Sequence, residues 1–515
     1  MKHKRHSLLT PFAVVAIAAL GAADVALADV RPAAIFSDHM VLQRDAVAPV
    51  WGWADPGEEV SVSIAGQTKT TKADPAGKWM VKLDKLKTGE GLTLTIKGRN
   101  TVTVQDVAVG EVWLCSGQSN MGMTVNGSKN FEQEKAAANL PKIRMFRQAD
   151  GPATAPQEQG KGSWQVCSPE TVGGFSAAAY FFGREVHKTL GLPVGLINSS
   201  VGGTAIEAWT SWDAQKDKLE LKPIFDRWDK QQAGWDPAKA QAQYEKQLAT
   251  WKTAAAKAKA EGKQAPRAPR KPDEPRRSAN HPATLFNGKI VPLIPYAIKG
   301  AIWYQGESNA GNGTQYALQL ETLVKDWRGR WGYDFPFGWV QLPNFHKAQV
   351  EPVEDTGWVR VREGMLKMLA LPDTGMAITL DCGEADNIHP KNKQDVGKRL
   401  AMWALAKVYD QKGIAASGPL PAGHQIRGSE IVLSFKHADG GLVAKDGDLK
   451  GFAIAGTDKK WVRATAKIDG DKVVVSSPEV KQPAAVRYAW ADNPDFNLYN
   501  GAGLPATPFR TDDWP

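Results

Sequence analysis

Five stretches of this chain are apolar at nearly every position: VAVGEVWLC (107–115), PVGLINSS (193–200), GAIWYQG (300–306), FGWVQL (337–342) and GMAITLDC (375–382). A strand covered on both faces needs such a run, and strands of that kind belong to parallel sheets flanked by helices. Helical patterns do lie between and after the runs. In FSAAAYFFGREVHKTL, Ala178, Phe181, Phe182, Val186 and Leu190 recur near helical spacing, and QDVGKRLAMWALAKVYD follows the last run. The alternation predicts an α/β layer with a parallel sheet over 108–416.

On either side the periodicity changes. From Asp29 to Val107, VSVSIAG, KWMVKL and LTLTIKG alternate apolar and polar residues between turns such as DPGE and DPAGK. Period two with regular turns predicts a small β-sandwich over 29–107. After Ser417, EIVLSFK, GFAIAG, WVRATAKI, DKVVVS and AAVRYAW predict a second β domain, 417–515. The α/β layer is itself interrupted over 219–282. There Asp236 is a candidate N-cap, Pro237 takes the first helical position, and Tyr244, Leu248, Trp251 and Ala255 share one face. The basic, proline-rich run GKQAPRAPRKPDEPRRSANHP ends that helix. The segment reads as a surface insertion, with a lid or a partner surface as the alternative.

The opening MKHKRHSLLTPFAVVAIAALGAADVALA joins a basic start to an apolar stretch of small residues and closes on Ala26-Leu27-Ala28. That pattern predicts a secretory signal peptide over 1–28, cleaved before Asp29, and a secreted or periplasmic protein. No later run is apolar for long enough to span a bilayer, so no integral membrane segment is expected after cleavage. The formal charge is +9, but much of the excess sits in the proline-rich run. Such a run is a solvated linker rather than a nucleic-acid surface, so no nucleic-acid partner is expected. Cys115, Cys167 and Cys382 are too few for a disulfide scaffold and lack zinc-site spacing.

Polar, glycine-rich sequence follows four of the buried runs: CSGQSNM (115–121), NSSVGGTAIEAW (198–209), WYQGESNA (303–310) and DCGEADNIHP (381–390). A parallel sheet brings such strand ends to one edge, where sites are built. Ser119 stands at a strand-to-helix turn, although Met121 stands where a G-x-S-x-G elbow requires glycine. A displayed nucleophile and an ordinary N-cap, at Ser116 or Ser119, both account for that turn. His389 combines a strand-end position with a nearby acid, Asp386. A carboxylate can hold one ring nitrogen while the other faces a serine; a plain polar loop contains the same pair. The other strand ends bring only Glu207 and Glu307 as charged groups and no second histidine, so no metal is expected.

Jointly and in this order, SGQSNM, GGT, WYQGES and D-x-x-H resemble the motif blocks of the SGNH hydrolase superfamily, in its sialate O-acetylesterase-like carbohydrate esterase branch. The likeness runs through the mature chain, from AIFSDHMVLQRDAVAPVWGWADPG to NLYNGAGLPATPFRTDDWP. It implies a three-layer α/β/α domain with a parallel sheet, flanked by the two β domains, and a serine mechanism without cofactor. Carried over by position, Ser119 is the nucleophile, His389 the general base and then acid, and Asp386 the residue that orients His389. The N–H groups of Ser119 and Gly203 become oxyanion donors, with Gly202 the choice if the register slips by one. The side-chain donor is Gln305 or Asn309, and Gln305 is favoured because Gln-Gly-Glu is the form this branch resembles. Gln118, Asn120, Glu207 and Glu307 are candidate substrate contacts, Glu307 with a bracing role as well. The implied substrate is an acetylated carbohydrate, sialic acid or plant polysaccharide, cleaved through an acyl-enzyme; Arg362 is a candidate receptor for a sialic acid carboxylate. The rival reading is a non-catalytic carbohydrate-binding protein, suggested by the flanking β domains and nineteen tryptophans.

Overall fold

Residues Thr101–Gly117 form one long strand, β1, and their pattern explains how it serves two environments. As far as Asp106 exposed and covered side chains are interspersed; from Val107 onward every residue is buried. The first part pairs antiparallel with Gly89–Lys97, which in turn pairs with Glu59–Ile64. The second part lies inside a parallel sheet. The domain boundary expected between 107 and 108 therefore falls within a strand. A smaller sheet of Arg31–Pro32, Ala48–Trp53 and Lys78–Leu83 completes the N-terminal unit. Val50, Trp79 and Val81 share a core there with Val60, Val62 and Ile96. The computed structural model describes residue 1 and residues 29–514, so residues 2–28 of the expected signal peptide lie outside the described residues.

Past Val107 the large sheet is carried on by β2 (Leu140–Gln148), β3 (Gly162–Cys167), β4 (Val194–Ser200), β5 (Gly300–Tyr304), β6 (Phe337–Val340) and β7 (Thr374–Ala377). Their order is β3-β2-β4-β1-β5-β6-β7. All pair in parallel except β3, which runs antiparallel to β2 at the edge. The main helices are α1 (Ser119–Gly122), α2 (Ala177–Leu190), α3 (Lys222–Ala233), α4 (Pro237–Ala260), α5 (Tyr316–Trp331), α6 (Gly357–Lys367) and α7 (Lys393–Lys407). Alternate side chains leave the sheet on opposite faces. On β5, Ala301 and Trp303 join a core with Leu320 and Trp327 of α5 and Val361 and Met365 of α6. Ile302 and Tyr304 join another with Phe181 and Phe182 of α2 and Leu400 and Trp403 of α7. The structure is thus mixed α/β with several sheets, and no helix among the described residues is long and apolar enough to cross a membrane.

The insertion divides into a packed part and a projecting part. Ile224 and Trp228 of α3 are buried with Leu221. His281, at the return to the domain, stacks on Trp212 and meets the edge of Trp228. By contrast α4 buries no residue, although Asp236 caps it as its sequence predicts, accepting from the N–H groups of Ala238 and Lys239. Trp251 donates its indole N–H to Pro266 O, so the proline-rich run folds back along the helix.

Beyond residue 417 the strands belong to two four-stranded sheets and a two-stranded one. Arg362 explains how this unit is fixed to the α/β layer, and its position corrects the expectation of a carboxylate receptor. It is fully buried, and its guanidinium donates to the carbonyls of Leu342, Pro343, Ala491 and Asp492. Every acceptor is main chain, four of the five N–H donors are spent on them, and full burial seals the group from any substrate. The three cysteines are buried and unpaired.

Candidate active site

Strand β1 reaches the site through Gly117, whose φ of +135° lies outside the range of ordinary side chains. A Cβ there would stand 2.1 Å from Tyr304 O on β5. Only glycine lets the two strands converge while the chain turns into α1. Ser119 is the first residue of that turn; Gln118 occupies the N-cap position and makes no side-chain cap. The Ser119 hydroxyl lies 2.8 Å from His389 Nε2, across 270 positions of sequence. Its N–H has no acceptor among the described residues, as a helix-start donor commonly lacks one.

The His389 loop is organised by Glu384 and Asn387. Asn387 accepts from His389 N–H at 3.0 Å and donates to His389 O at 3.0 Å. Glu384 accepts from the Asn387 amide at 2.8 Å and from Lys391 N–H at 2.7 Å. This wrapping turns Asp386 outward: it is exposed and makes no hydrogen bond to the imidazole, a correction to its expected orienting role. Burial first, then the charge of Lys393, holds the His389 ring below histidine's ordinary value, which favours the neutral base.

The residues expected to touch substrate are instead a buried frame. Asn120 and Gln118 donate to Glu307, whose carboxyl is raised by burial, an effect opposed by the Asn120 hydrogen bond. Gln118 also accepts from Ser308 Oγ at 2.8 Å. Glu207 accepts from Asn309 and Gln319 at 2.9 and 3.1 Å. All four of Gln118, Asn120, Glu207 and Glu307 are buried, so the expected substrate contacts are corrected to supports. Gln305 is corrected likewise: its amide donates to Thr204 O and Asn309 Oδ1, which uses both hydrogens. Asn309 spends its own on Glu207 and Gln319. Neither offers a donor to an oxyanion.

An open cleft of about 830 Å³ lies over the Ser119–His389 pair. Gly202 lines it and closes against Ser119: a Cβ on Gly202 would sit 3.3 Å from that of Ser119. Gly203, at φ +70°, faces an adjoining cleft of about 420 Å³ with Trp228 and Asn280. Asn280 straps this turn, donating to Gly203 O at 3.0 Å and accepting from Ala205 N–H at 2.7 Å. Asn198, whose Oδ1 accepts from Ser200, also lines the main cleft, as do exposed Arg147 and the ammonium-bearing Lys289. Burial brings Lys289 down to about 8. Sequence reading missed Lys393, Asn280, Arg147 and Lys289. Of these only Asn280 had a signal, its place just before the chain rejoins the α/β layer.

A serine bonded to a histidine at the strand ends of a parallel sheet, under an open cleft, is the geometry of a hydrolase site. The chain matches the family described as carbohydrate esterase, sialic acid-specific acetylesterase, over residues 109–260 and 287–406. It is 29% identical to the sialate O-acetylesterase of Mus musculus, over 93% of this chain and 94% of the mouse protein. To that of Homo sapiens it is 30% identical, over 93% of this chain and 92% of the human protein. Among solved structures it is similar to a carbohydrate acetylesterase from Xanthomonas citri, with a TM-score of 0.80, 35% identity and coverage of 94% of this chain and 100% of that one. The chain therefore belongs to the sialic acid-specific acetylesterase family of carbohydrate esterases, and it is an esterase.

Proposed function

We propose that the protein is an exported serine esterase that removes O-acetyl groups from carbohydrate through an acyl-enzyme. The observation that carries this reading is the 2.8 Å contact between Ser119 Oγ and His389 Nε2 under an open cleft. A serine hydroxyl is a poor nucleophile at its own pKa, so His389 takes its proton as Oγ bonds to the acetyl carbon. The carbonyl oxygen gains negative charge, and the free N–H of Ser119 with those of the Gly202–Gly203 turn answers it. Each such donor contributes roughly 3–4 kcal/mol. As the tetrahedral centre collapses, His389 returns the proton to the departing sugar oxygen, leaving acetyl on Ser119. Water, deprotonated by the same imidazole, then releases acetate and restores the hydroxyl. In this reading the sheet, with α2 and α7 on one face and α5 and α6 on the other, is a three-layer SGNH-type domain flanked by β domains. The substrate class is acetylated sugar, sialic acid included, since the exposed Arg147 on the cleft wall suits a carboxylate.

The test is acetate release from acetyl-xylan, acetylated pectin and acetylated sialic acid by wild type and Ser119→Ala. The expected loss is about 10⁴-fold or more with the fold retained. A folded Ser119→Ala chain as active as wild type would refute the reading.

A further inference from the structure

The reaction just described leaves one buried charged group unused. Lys393 opens α7 and is fully buried. Its ammonium donates to Asn120 Oδ1 at 2.8 Å and to Pro390 O at 2.6 Å, and stands 5.4 Å from the Tyr304 ring centre. Asn120, beside the nucleophile, donates its amide to Glu307 at 2.6 Å and to Ile388 O at 2.9 Å. Ile388 and Pro390 are the two neighbours of His389. Both carbonyls flanking the base are thus tied to the residue that follows Ser119, one directly and one through the ammonium. Glu307 closes the frame by holding Gln118, the residue that precedes Ser119.

Burying an ammonium is unfavourable unless its donors are satisfied and a counter-charge is near. An apolar side chain would fill the same space without that cost, but it could not bridge two oxygens. The clamp also stands where a tether is needed, because no carboxylate among the described residues holds the His389 ring. Resting on the Ser119–His389 reading, we propose that Lys393 is a positioning residue of the esterase: acting through Asn120 and Pro390, with Glu307 as counter-charge, it sets the separation of Ser119 and His389.

Electrostatics gives the clamp a signature that packing alone lacks. The charged groups around the imidazole are Glu384, Asp386 and Lys391 on its own loop, Lys393 on α7, Glu307 behind Asn120, and Arg147, Asp150 and Lys289 across the cleft. Among these Lys393 is the charge that lowers the affinity of His389 for a proton, second to burial. Burial lowers Lys393 itself to about 8, with Glu307 opposing the shift.

The experiment compares Lys393→Met and the charge-balanced Lys393→Met/Glu307→Gln with wild type. It reads thermal unfolding, kcat and KM for p-nitrophenyl acetate, and the pH profile of kcat/KM. Both variants are expected to lose about 100-fold in kcat with little change in KM, the scale of an ångström-sized misplacement. Their acid limb should move to higher pH, because the removed positive charge no longer disfavours imidazolium. A folded variant with wild-type kcat and an unmoved acid limb overturns the proposal. If neither variant folds, Asn120→Ser decides, since it cuts the links to Ile388 and Glu307 and keeps Lys393 charged; a folded N120S chain with wild-type kcat overturns the proposal equally. Ser119→Ala run alongside separates this outcome from failure of the underlying reading, which alone predicts that S119A is inactive.

Discussion

Replacing Gly117 with alanine tests how the strand geometry places the Ser119 hydroxyl. The added Cβ would stand 2.1 Å from Tyr304 O, 2.7 Å from its carbonyl carbon and 3.0 Å from its nitrogen. All three atoms are main chain, so no rotamer change relieves the clash. Normal contact needs β1 and β5 to part by about 1 Å. The φ of +135° adds strain of its own for a residue with a side chain. Overpacking of about 1–3 kcal/mol and backbone strain of about 1–3 kcal/mol together come to about 4 kcal/mol. At about 2–4 °C per kcal/mol, the melting temperature should fall by on the order of 10 °C. Ser119 lies two residues on, and moving its hydroxyl from the imidazole by that distance should lower kcat about 100-fold. The assay is a thermal melt by circular dichroism together with turnover of p-nitrophenyl acetate. Gly311→Ala is the control, since a Cβ there meets nothing within 4 Å; its effect should stay within about 0.5 kcal/mol. A Gly117→Ala protein that melts and turns over like wild type would refute the geometric reasoning.

Two further outcomes follow from the site. In the proposed reaction His389 must be neutral to accept the serine proton, and burial and then Lys393 lower its proton affinity, so the acid limb of kcat/KM for a neutral ester should have its midpoint below 6.5; a midpoint at or above 6.5 would contradict the environment described. Asn280→Ala removes both bonds that strap the Gly203–Ala205 turn, worth about 1–2 kcal/mol, and should lower the melting temperature by only about 2–8 °C while costing about tenfold in kcat; an unaltered kcat would show that the turn holds its shape without the strap.

Much of this arrangement was legible in residue order. Apolar runs without alternation marked the parallel strands, and polar strand ends marked Ser119 and His389, which do meet. What failed depended on side-chain direction. Asp386 has the right spacing from His389, but Asn387 competes for the loop's backbone and turns the acid to solvent. Gln305 is polar and correctly located, yet its amide faces Thr204 and Asn309, and only the packed neighbours decide that. Lys393 stands among Lys391, Asn392 and Gln394, a stretch that reads as a solvated helix start, so nothing local separates a buried ammonium from an exposed one. Asn280 was masked by the basic, proline-rich composition around it. The change of periodicity at 107 was read as a domain boundary because it reports which faces are covered, and it carries no information on whether the strand itself continues.

That continuity makes β1 a beam rather than a hinge. Tension or twist applied to the N-terminal unit passes along unbroken peptide to a point two residues before the Ser119 hydroxyl. A gene fusion or truncation that treats residues 29–107 as a detachable bead would saw through the member on which the Ser119 turn is mounted.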